Sequence, residues 1–360
     1  MTVYYVILTI PFLTALFVGN FHAYNSYKFR KSYILLNFIL LLLISGLRSD
    51  EVGGDLTRYL PEFSRMPNVS YGEIFEGLFS FNQREFAFAL LEKTISIFTT
   101  NYCVYLFITA FASISVYLFS IYKNSYSVFI SVVLYVFLLY PGSMNIIRAS
   151  IAMALCMSSY PYIINRRFKQ YCLLVGLAFL FQKTSLLFFP AYFLYNKKFS
   201  LIVVLISISS GLFLSFKLSG SGLALMAERY MSLYHLSEDY LNDSSTGLTN
   251  LSYLQLFLTF WGIFILYRKQ LNTKENVFFI YMMVVATIIQ FFSPVFSLLS
   301  RISNFYFCYI IYYVPYLLKY LNKQERFLFS LFIIGVFGVL YFIGLDKNVH
   351  GIVPYKFNFE

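Results

Sequence analysis

Residues 170–195 read QYCLLVGLAFLFQKTSLLFFPAYFLY, and whether they cross a membrane once or twice decides the arrangement of everything around them. The stretch is long enough for one tilted span of about 20 residues, yet Gln182 and Lys183 interrupt it at its middle. A lysine at the centre of a span costs about 2.5–3.5 kcal/mol, which argues against a single straight crossing. Two arms meeting at Gln182-Lys183 put the lysine at a turn instead. Each arm is then about 12 residues, roughly 18 Å of helix, which also fits a re-entrant hairpin lining a cavity. In either version both ends of the stretch lie on the same side.

Composition makes lipid the solvent for most of the chain. Of 360 residues 59% are hydrophobic, 21% aromatic and 12% charged, against about 25% charged in a soluble domain. Further apolar runs occur at 3–20, 33–47, 102–122, 126–141, 145–164, 199–217, 249–267, 276–293, 301–318 and 327–345. No polar block between them exceeds about 40 residues, so residues 1–360 read as one integral membrane domain. The first run lacks a basic flank and a small-residue cleavage site, and reads as a retained span. Residues 85–99, EFAFALLEKTISIFT, carry Glu85, Glu92 and Lys93 with helical spacing of the apolar positions, as expected of a helix in the interface plane. The expected fold is all-α and polytopic: a bundle of about 10–13 transmembrane helices of about 20 residues each, with a re-entrant or broken helical hairpin and an interfacial helix.

Charge supports the two-arm reading, because Lys and Arg concentrate in cytoplasmic loops. If 85–99 does not cross and 170–195 returns, the loops around Lys28–Lys31, Lys123, Arg166–Lys169, Lys197–Lys198, Arg268–Lys274 and Lys319–Arg326 fall on one side. They hold 15 basic residues and two acids, Glu275 and Glu325, a charge of +13, which leaves −2 for the other side out of a total of +11. The basic excess is thus a topology signal and not a nucleic-acid footprint. Cys103, Cys156, Cys172 and Cys308 lie in apolar runs without CxxC or Cys/His spacing, which favours packing over disulfide or metal chemistry. No metal site and no cofactor are expected.

This topology leaves two large loops outside, 48–84 and 218–248. The first contains LRSDEVGGDLTRYLPEF (47–63), where Gly53 and Gly54 allow a tight turn beside Asp55, Arg58 and Tyr59, with Arg48 at the membrane edge. The functional reading is a site for an anionic, hydroxyl-rich ligand, with arginine clamping phosphate oxygens; the bland one is a solvated, salt-bridged loop. Asn145 and Arg148 follow Pro141-Gly142 and are expected one turn apart on the same helix face. Lys183 marks the hairpin turn, and Arg301 opens the run 301–318. Singly each is a snorkelling anchor, but four basic groups, Arg48, Arg148, Lys183 and Arg301, converging on one face suggest a shared anion site. Asp55 and Glu85 are the carboxylates placed to act as a catalytic base; their bland readings are a turn residue and an N-terminal helix charge. His22, His235 and His350 are scattered over loops and tail and read as solvated.

In order along the chain, GGDLTRY (53–59), EFAFALL (85–91), NIIRASIA (145–152), FQKTS (181–185), RISNFYF (301–307) and VPYKF (353–357) resemble the EpsG family of bacterial polysaccharide polymerases, relatives of Wzy-type O-antigen polymerases. One departure matters. Family members usually show Phe-His-x-Ser where this chain has Phe181, Gln182, Lys183, Thr184 and Ser185, so no histidine role carries over to Gln182. The resemblance implies a glycosyltransferase in the bacterial inner membrane that joins undecaprenyl-diphosphate-linked oligosaccharide repeat units on the periplasmic side, in O-antigen (lipopolysaccharide), capsule or exopolysaccharide synthesis. It implies as partners the lipid-linked oligosaccharide, membrane lipid, and a flippase and chain-length regulator of the same pathway. Absence of a nucleotide motif agrees, since a diphosphate-linked donor is already activated. A transporter or flippase of lipid-linked glycans should show internal repeats and deep intramembrane charges, and no convincing repeat is present. An O-antigen ligase-type transferase would share the diphosphate clamp and differ in acceptor.

Overall fold

The computed structural model describes residues 2–18, 27–79, 85–218, 248–294, 296 and 298–359. The loop 48–84 is covered up to residue 79, whereas the loop 218–248, with His235, lies outside the described residues except at its ends, as does His22. In chain order the helices are α1 (Thr2–Val18), α2 (Tyr27–Gly46), α3 (Leu56–Arg65), α4 (Tyr71–Phe79), α5 (Phe86–Phe98), α6 (Tyr102–Asn124), α7 (Val128–Leu138), α8 (Tyr140–Asn145), α9 (Ile147–Ser158), α10 (Tyr160–Ile164), α11 (Phe168–Phe181), α12 (Ala191–Leu194), α13 (Leu201–Leu218), α14 (Asn250–Arg268), α15 (Lys274–Phe291), α16 (Leu298–Phe307), α17 (Ile310–Leu318) and α18 (Lys323–Asp346). The protein is an all-α, multi-pass membrane protein. Among the described residues six helices are long and apolar enough to cross a membrane: α2, α6, the α9–α10 pair, α14, α15 and α18. Helices α1, α7, α11 and α13 are apolar but shorter.

Burial sorts the spans. In α15, 72% of the apolar window is buried, against 28% in α18, so α15 runs through the centre and α18 stands at the lipid-facing rim. Lipid tails are as apolar as leucine, so helix association here depends on close packing and interhelical hydrogen bonds. Such bonds recur through the buried core: Asn37 Nδ2 donates to Thr14 Oγ1 at 2.8 Å, joining α2 to α1. Ser131 Oγ donates to Ile311 O at 2.7 Å, joining α7 to α17. Ser303 Oγ donates to Ala286 O at 2.8 Å, joining α16 to α15.

Residues 170–195 fold as two arms. Helix α11 ends at Phe181, Gln182 takes an extended conformation with φ −154° and ψ 110°, and a 3₁₀ turn, Lys183–Phe188, leads back to α12. Arg166 Nη1 donates to Tyr192 O at 2.8 Å and its guanidinium lies 4.0 Å from the Tyr192 ring centroid. The Tyr171 hydroxyl donates to Phe188 O at 2.8 Å. The two ends therefore stand side by side, with Lys183 at the far tip. The 14 residues of α11 reach roughly 21 Å at 1.5 Å per residue, short of the hydrocarbon core of about 30 Å. The result is a broken hairpin.

Contacts between loops show that the basic segments gather at one end of the bundle. Arg30 Nη1 donates to Ser125 O at 3.1 Å, and Lys319 Nζ sits 5.9 Å from the Tyr126 ring centroid. Arg268 and Lys269 pair with Glu325 at 2.9 and 3.4 Å. The Tyr195 hydroxyl donates to Glu275 Oε1 at 3.2 Å. At the opposite end the C-terminal tail folds back as a strap. Ser49 N donates to Lys356 O at 2.9 Å and Asn358 N to Leu47 O at 3.0 Å, forming a single antiparallel bridge between Arg48 and Phe357. The Tyr355 hydroxyl reaches Ile44 O at 2.5 Å.

Helix α5 is amphipathic, burying Phe88, Ala89, Glu92, Ile95 and Ser96 while Ile97 and Phe98 are exposed. It packs beside α3, which buries Leu56, Tyr59, Leu60 and Phe63, the i, i+3, i+4, i+7 spacing of a helix with one covered face. Lys93 Nζ fastens the pair by donating to Met66 O at 3.0 Å and Pro67 O at 3.1 Å.

Candidate functional site

The turn in GGDLTRY is locked backbone to backbone. Gly53 N donates to Gly351 O at 2.9 Å and Gly54 N to His350 O at 3.1 Å. Gly53 has φ +130° and Gly351 φ +61°, conformations that L side chains rarely adopt. A Cβ on Gly351 would stand 2.6 Å from Gly54 N, and one on Gly53 2.7 Å from Met144 O. This closeness sets the position of the next residue. Asp55 N donates to Asn145 Oδ1 at 2.6 Å, and although Asp55 stands at the N-cap of α3 its side chain makes no capping bond. It faces Arg301 instead, with Oδ2 3.7 Å from Nη2.

A second pair stands beside the first. Glu85, at the N-cap of α5, contacts Arg148 in the first turn of α9, and both side chains are largely sheltered, 11% and 18% exposed. Sequence spacing placed Asn145 and Arg148 on one helix face. The structure separates them, because Ile146 leaves helical geometry with φ −86° and ψ 64° between α8 and α9. Asn145 thus serves the Asp55 backbone while Arg148 meets Glu85.

Tyr59 links the two pairs. Its hydroxyl accepts from Arg148 Nε at 3.4 Å and its ring centroid lies 5.4 Å from the guanidinium carbon. Burial pushes the phenol up from its usual range, Arg148 and Arg301 pull it down, and Asp55 pushes it up. The hydroxyl therefore lies in electrostatic reach of both pairs. Lys183, at the hairpin tip, feels the charges of Glu85 and Arg148. Four elements and a hairpin, distant in sequence, thus converge on one polar cluster.

Two arginines of the same loop stand apart from it. Arg48 is 1% exposed. Its Nε donates to Val52 O at 3.1 Å, its Nη2 to Met144 O at 3.0 Å, and its Nη1 to Ser45 O and to Ser45 Oγ at 3.0 Å. Burial pulls the guanidinium down to about 10, still a cation at neutral pH. Arg58 is 60% exposed on its side chain and pairs with Glu62 at 3.7 Å, one turn along α3.

His350, expected to be solvated, is half-buried at this end. A Cβ on Gly142 would lie 3.5 Å from His350 Cε1, and burial together with the charge of Arg301 pulls the imidazole down to about 4. No spacing in the sequence pointed to it; the only signal was its position three residues before VPYKF. His350 also lines a cleft of about 620 Å³ with Ser300 and Gln290, beside Arg301.

What these observations define is a multi-pass membrane protein with a sheltered cluster of arginine–carboxylate pairs at the end opposite its basic loops. The chain belongs to the EpsG family, whose model matches residues 31–357, a range that takes in all six motifs. It is a membrane protein of the polysaccharide-polymerase type. Neither a curated protein nor a solved structure matched the chain.

Proposed function

We propose that this chain is an inner-membrane glycosyltransferase that polymerises undecaprenyl-diphosphate-linked oligosaccharide repeat units on the periplasmic side. Family membership supports the polymer class. The observation that carries the site is the pair of arginine–carboxylate contacts, Arg148–Glu85 and Arg301–Asp55, drawn together around Tyr59. A guanidinium held by a carboxylate can exchange that partner for phosphate oxygens with its bidentate geometry unchanged. Arg148 and Arg301 take the diphosphate of the donor and stabilise its charge as it leaves. Lys183 adds positive charge from the hairpin tip. The displaced carboxylates, Asp55 and Glu85, then lie beside the sugar end of the donor, where Asp55 orients the attacking hydroxyl. Tyr59 and Asn145 keep the arrangement: one spaces the arginines, the other holds the Asp55 backbone. Arg48 acts at a distance, by fixing the loop.

The growing glycan passes from its lipid diphosphate to the end of an incoming lipid-linked unit. Deleting the gene in its host tests the class: loss of a polymerase leaves surface lipid capped with one repeat unit, loss of a ligase leaves polymer on undecaprenol, and loss of a flippase leaves neither outside. Complementing with Arg148→Ala and Arg301→Ala should leave single repeat units at normal protein abundance. Full-length polymer from both would remove the clamp. Single cysteines introduced at 48–79 should react with impermeant thiol reagents in intact spheroplasts, and those at 268–275 only after permeabilisation; the reverse pattern would invert the proposed orientation.

A further inference from the structure

We propose that the cleft framed by the ends of α7, α15 and α18 and the start of α14 binds the acceptor glycan, and that His350 receives the proton of its attacking hydroxyl. The proposal rests on the polymerase reading and names its second substrate site. The cleft measures about 620 Å³, inside the range of about 300–1,000 Å³ for small-molecule sites, and lies at the end where the two ion pairs meet.

Its two walls differ. One is apolar, with Phe137 and Tyr341 tilted against each other at 5.8 Å between centroids beside Leu340 and Leu345, a surface that suits the C–H faces of pyranose rings at its edge. The other is polar, with Gln290, Ser293, Thr249 and Ser300. Gln290 is 2% exposed, and its Nε2 donates to Ser293 Oγ at 2.7 Å and Thr249 Oγ1 at 3.2 Å. Its Oε1 has no hydrogen-bond partner among the described residues. A buried amide oxygen without a donor is costly, and a sugar hydroxyl in the cleft supplies the missing one.

The cleft meets the cluster at two points. Ser300 lines it and Arg301, the next residue, pairs with Asp55. His350 lines it as well, and its carbonyl is held by Gly54 N–H, one residue before Asp55. A sugar hydroxyl beside His350 therefore lies next to the place where the donor diphosphate replaces Asp55 on Arg301. In the transfer, the hydroxyl oxygen attacks the anomeric carbon of the donor. The bond from that carbon to the diphosphate oxygen breaks, the electron pair leaves with the diphosphate, and the hydroxyl proton moves to a ring nitrogen of His350. Burial and the Arg301 charge keep the imidazole neutral at physiological pH, with a lone pair available. The charged groups around it are Arg301, Asp55 and Lys347 of the cleft wall. A diphosphate on Arg301 offsets the smaller of the two causes that depress His350, the larger being burial.

The test uses the full chain in lipid nanodiscs with two probes: inorganic pyrophosphate, and the repeat-unit oligosaccharide freed from its lipid by mild acid. Gln290→Leu should weaken oligosaccharide binding by about tenfold, one lost hydrogen bond, and leave pyrophosphate binding unchanged. Ser300→Trp, which fills the cleft, should do the same. His350→Gln should bind both probes like the unaltered chain yet polymerise roughly 10²-fold more slowly. Unchanged oligosaccharide binding in both Gln290→Leu and Ser300→Trp overturns the cleft, and wild-type polymerisation by His350→Gln overturns the base. If the oligosaccharide results hold but pyrophosphate does not bind the unaltered chain, the transfer reading fails while the glycan cleft stands.

Discussion

Arg48 and Arg148 sit at the same end of the bundle, both sheltered, and keep opposite company. Arg48 gives its donors to three backbone carbonyls and a serine hydroxyl, whereas Arg148 gives its donors to a carboxylate and a phenol. Backbone carbonyls at a helix end and a turn cannot move without opening the fold. A carboxylate on a side chain can swing away, and a phosphate that takes its place keeps the charge balanced. The comparison separates an arginine that builds the loop from one that can work in it, although in sequence both are single cations at the edge of an apolar run.

The largest effect expected from this contrast is on folding. Arg48→Ala strands the carbonyls of Ser45, Val52 and Met144 and leaves a cavity where a fully buried side chain stood. Each buried carbonyl left without a donor costs about 1–3 kcal/mol, and together they are a large part of the stability of an ordinary domain. The monodisperse fraction after detergent extraction should collapse, and Arg48→Lys should rescue it poorly because an ammonium lacks the planar fork. An Arg48→Ala protein that extracts normally and loses only polymerisation would put Arg48 in the same class as Arg148.

Next in size is Arg148→Lys. Here the protein should extract at normal yield, since lysine keeps the charge opposite Glu85, while polymer formation falls about 10²- to 10³-fold with the loss of bidentate contact to a leaving diphosphate. Polymer length distribution on a gel gives the readout. A variant with near-wild-type ladders would mean that a point charge suffices, and the distinction drawn between the two arginines would rest on folding alone.

How far the sequence could carry this contrast is itself instructive. Apolar length and the placement of Lys and Arg sufficed for the spans, the return of 170–195 and the end at which the polar motifs meet, because each depends on one-dimensional quantities. Of the residues the sequence groups, Asp55, Tyr59, Glu85, Asn145, Arg148, Lys183 and Arg301 are brought together, and Arg48 and Arg58 stand apart. What each arginine touches is different in kind. Arg48 meets carbonyls because the chain brings Met144 O, 96 positions away, to a guanidinium already held by Ser45 and Val52, while the strap of residues 347–359 pairs with the backbone beside it. His350 rides on that strap, and no periodicity links it to Arg301. The break at Ile146 was hidden as well, since a β-branched residue in an apolar run carries no mark of a helix end.

The strap gives a smaller, pH-dependent effect. The imidazole of His350 titrates at about 4 in the fold against 6.5 when unperturbed. Its folded value is depressed, so between those values the unfolded chain binds the extra proton, and stability rises with pH across that window. Lowering the pH from 7 to 5 should therefore destabilise the protein by on the order of 1–2 kcal/mol through this group. Melting midpoints of the extracted protein at the two pH values should differ, and His350→Gln should remove most of the difference. An equal pH response in both proteins would assign it to other groups.

The smallest expected effect belongs to Arg58, and it sharpens the comparison from the other side. Arg58 lies in the same motif as Asp55 and Tyr59, and sequence grouped it with them. Its side chain is 60% exposed and its partner Glu62 is one helical turn away at 3.7 Å, a geometry in which an ion pair contributes about 0.3–0.5 kcal/mol. Solvent already supplies what a mutation would remove. Arg58→Ala should therefore extract normally, melt within a degree or two of the unaltered chain, as expected for a change of a few tenths of a kcal/mol, and make full-length polymer. Neighbouring Tyr59→Phe, which removes only the hydroxyl that accepts from Arg148, should cost more activity than Arg58→Ala despite the smaller chemical change. If Arg58→Ala instead abolishes polymer while folding normally, the exposed face of α3 contacts substrate, and burial beside a carboxylate is the wrong criterion for a working arginine in this loop.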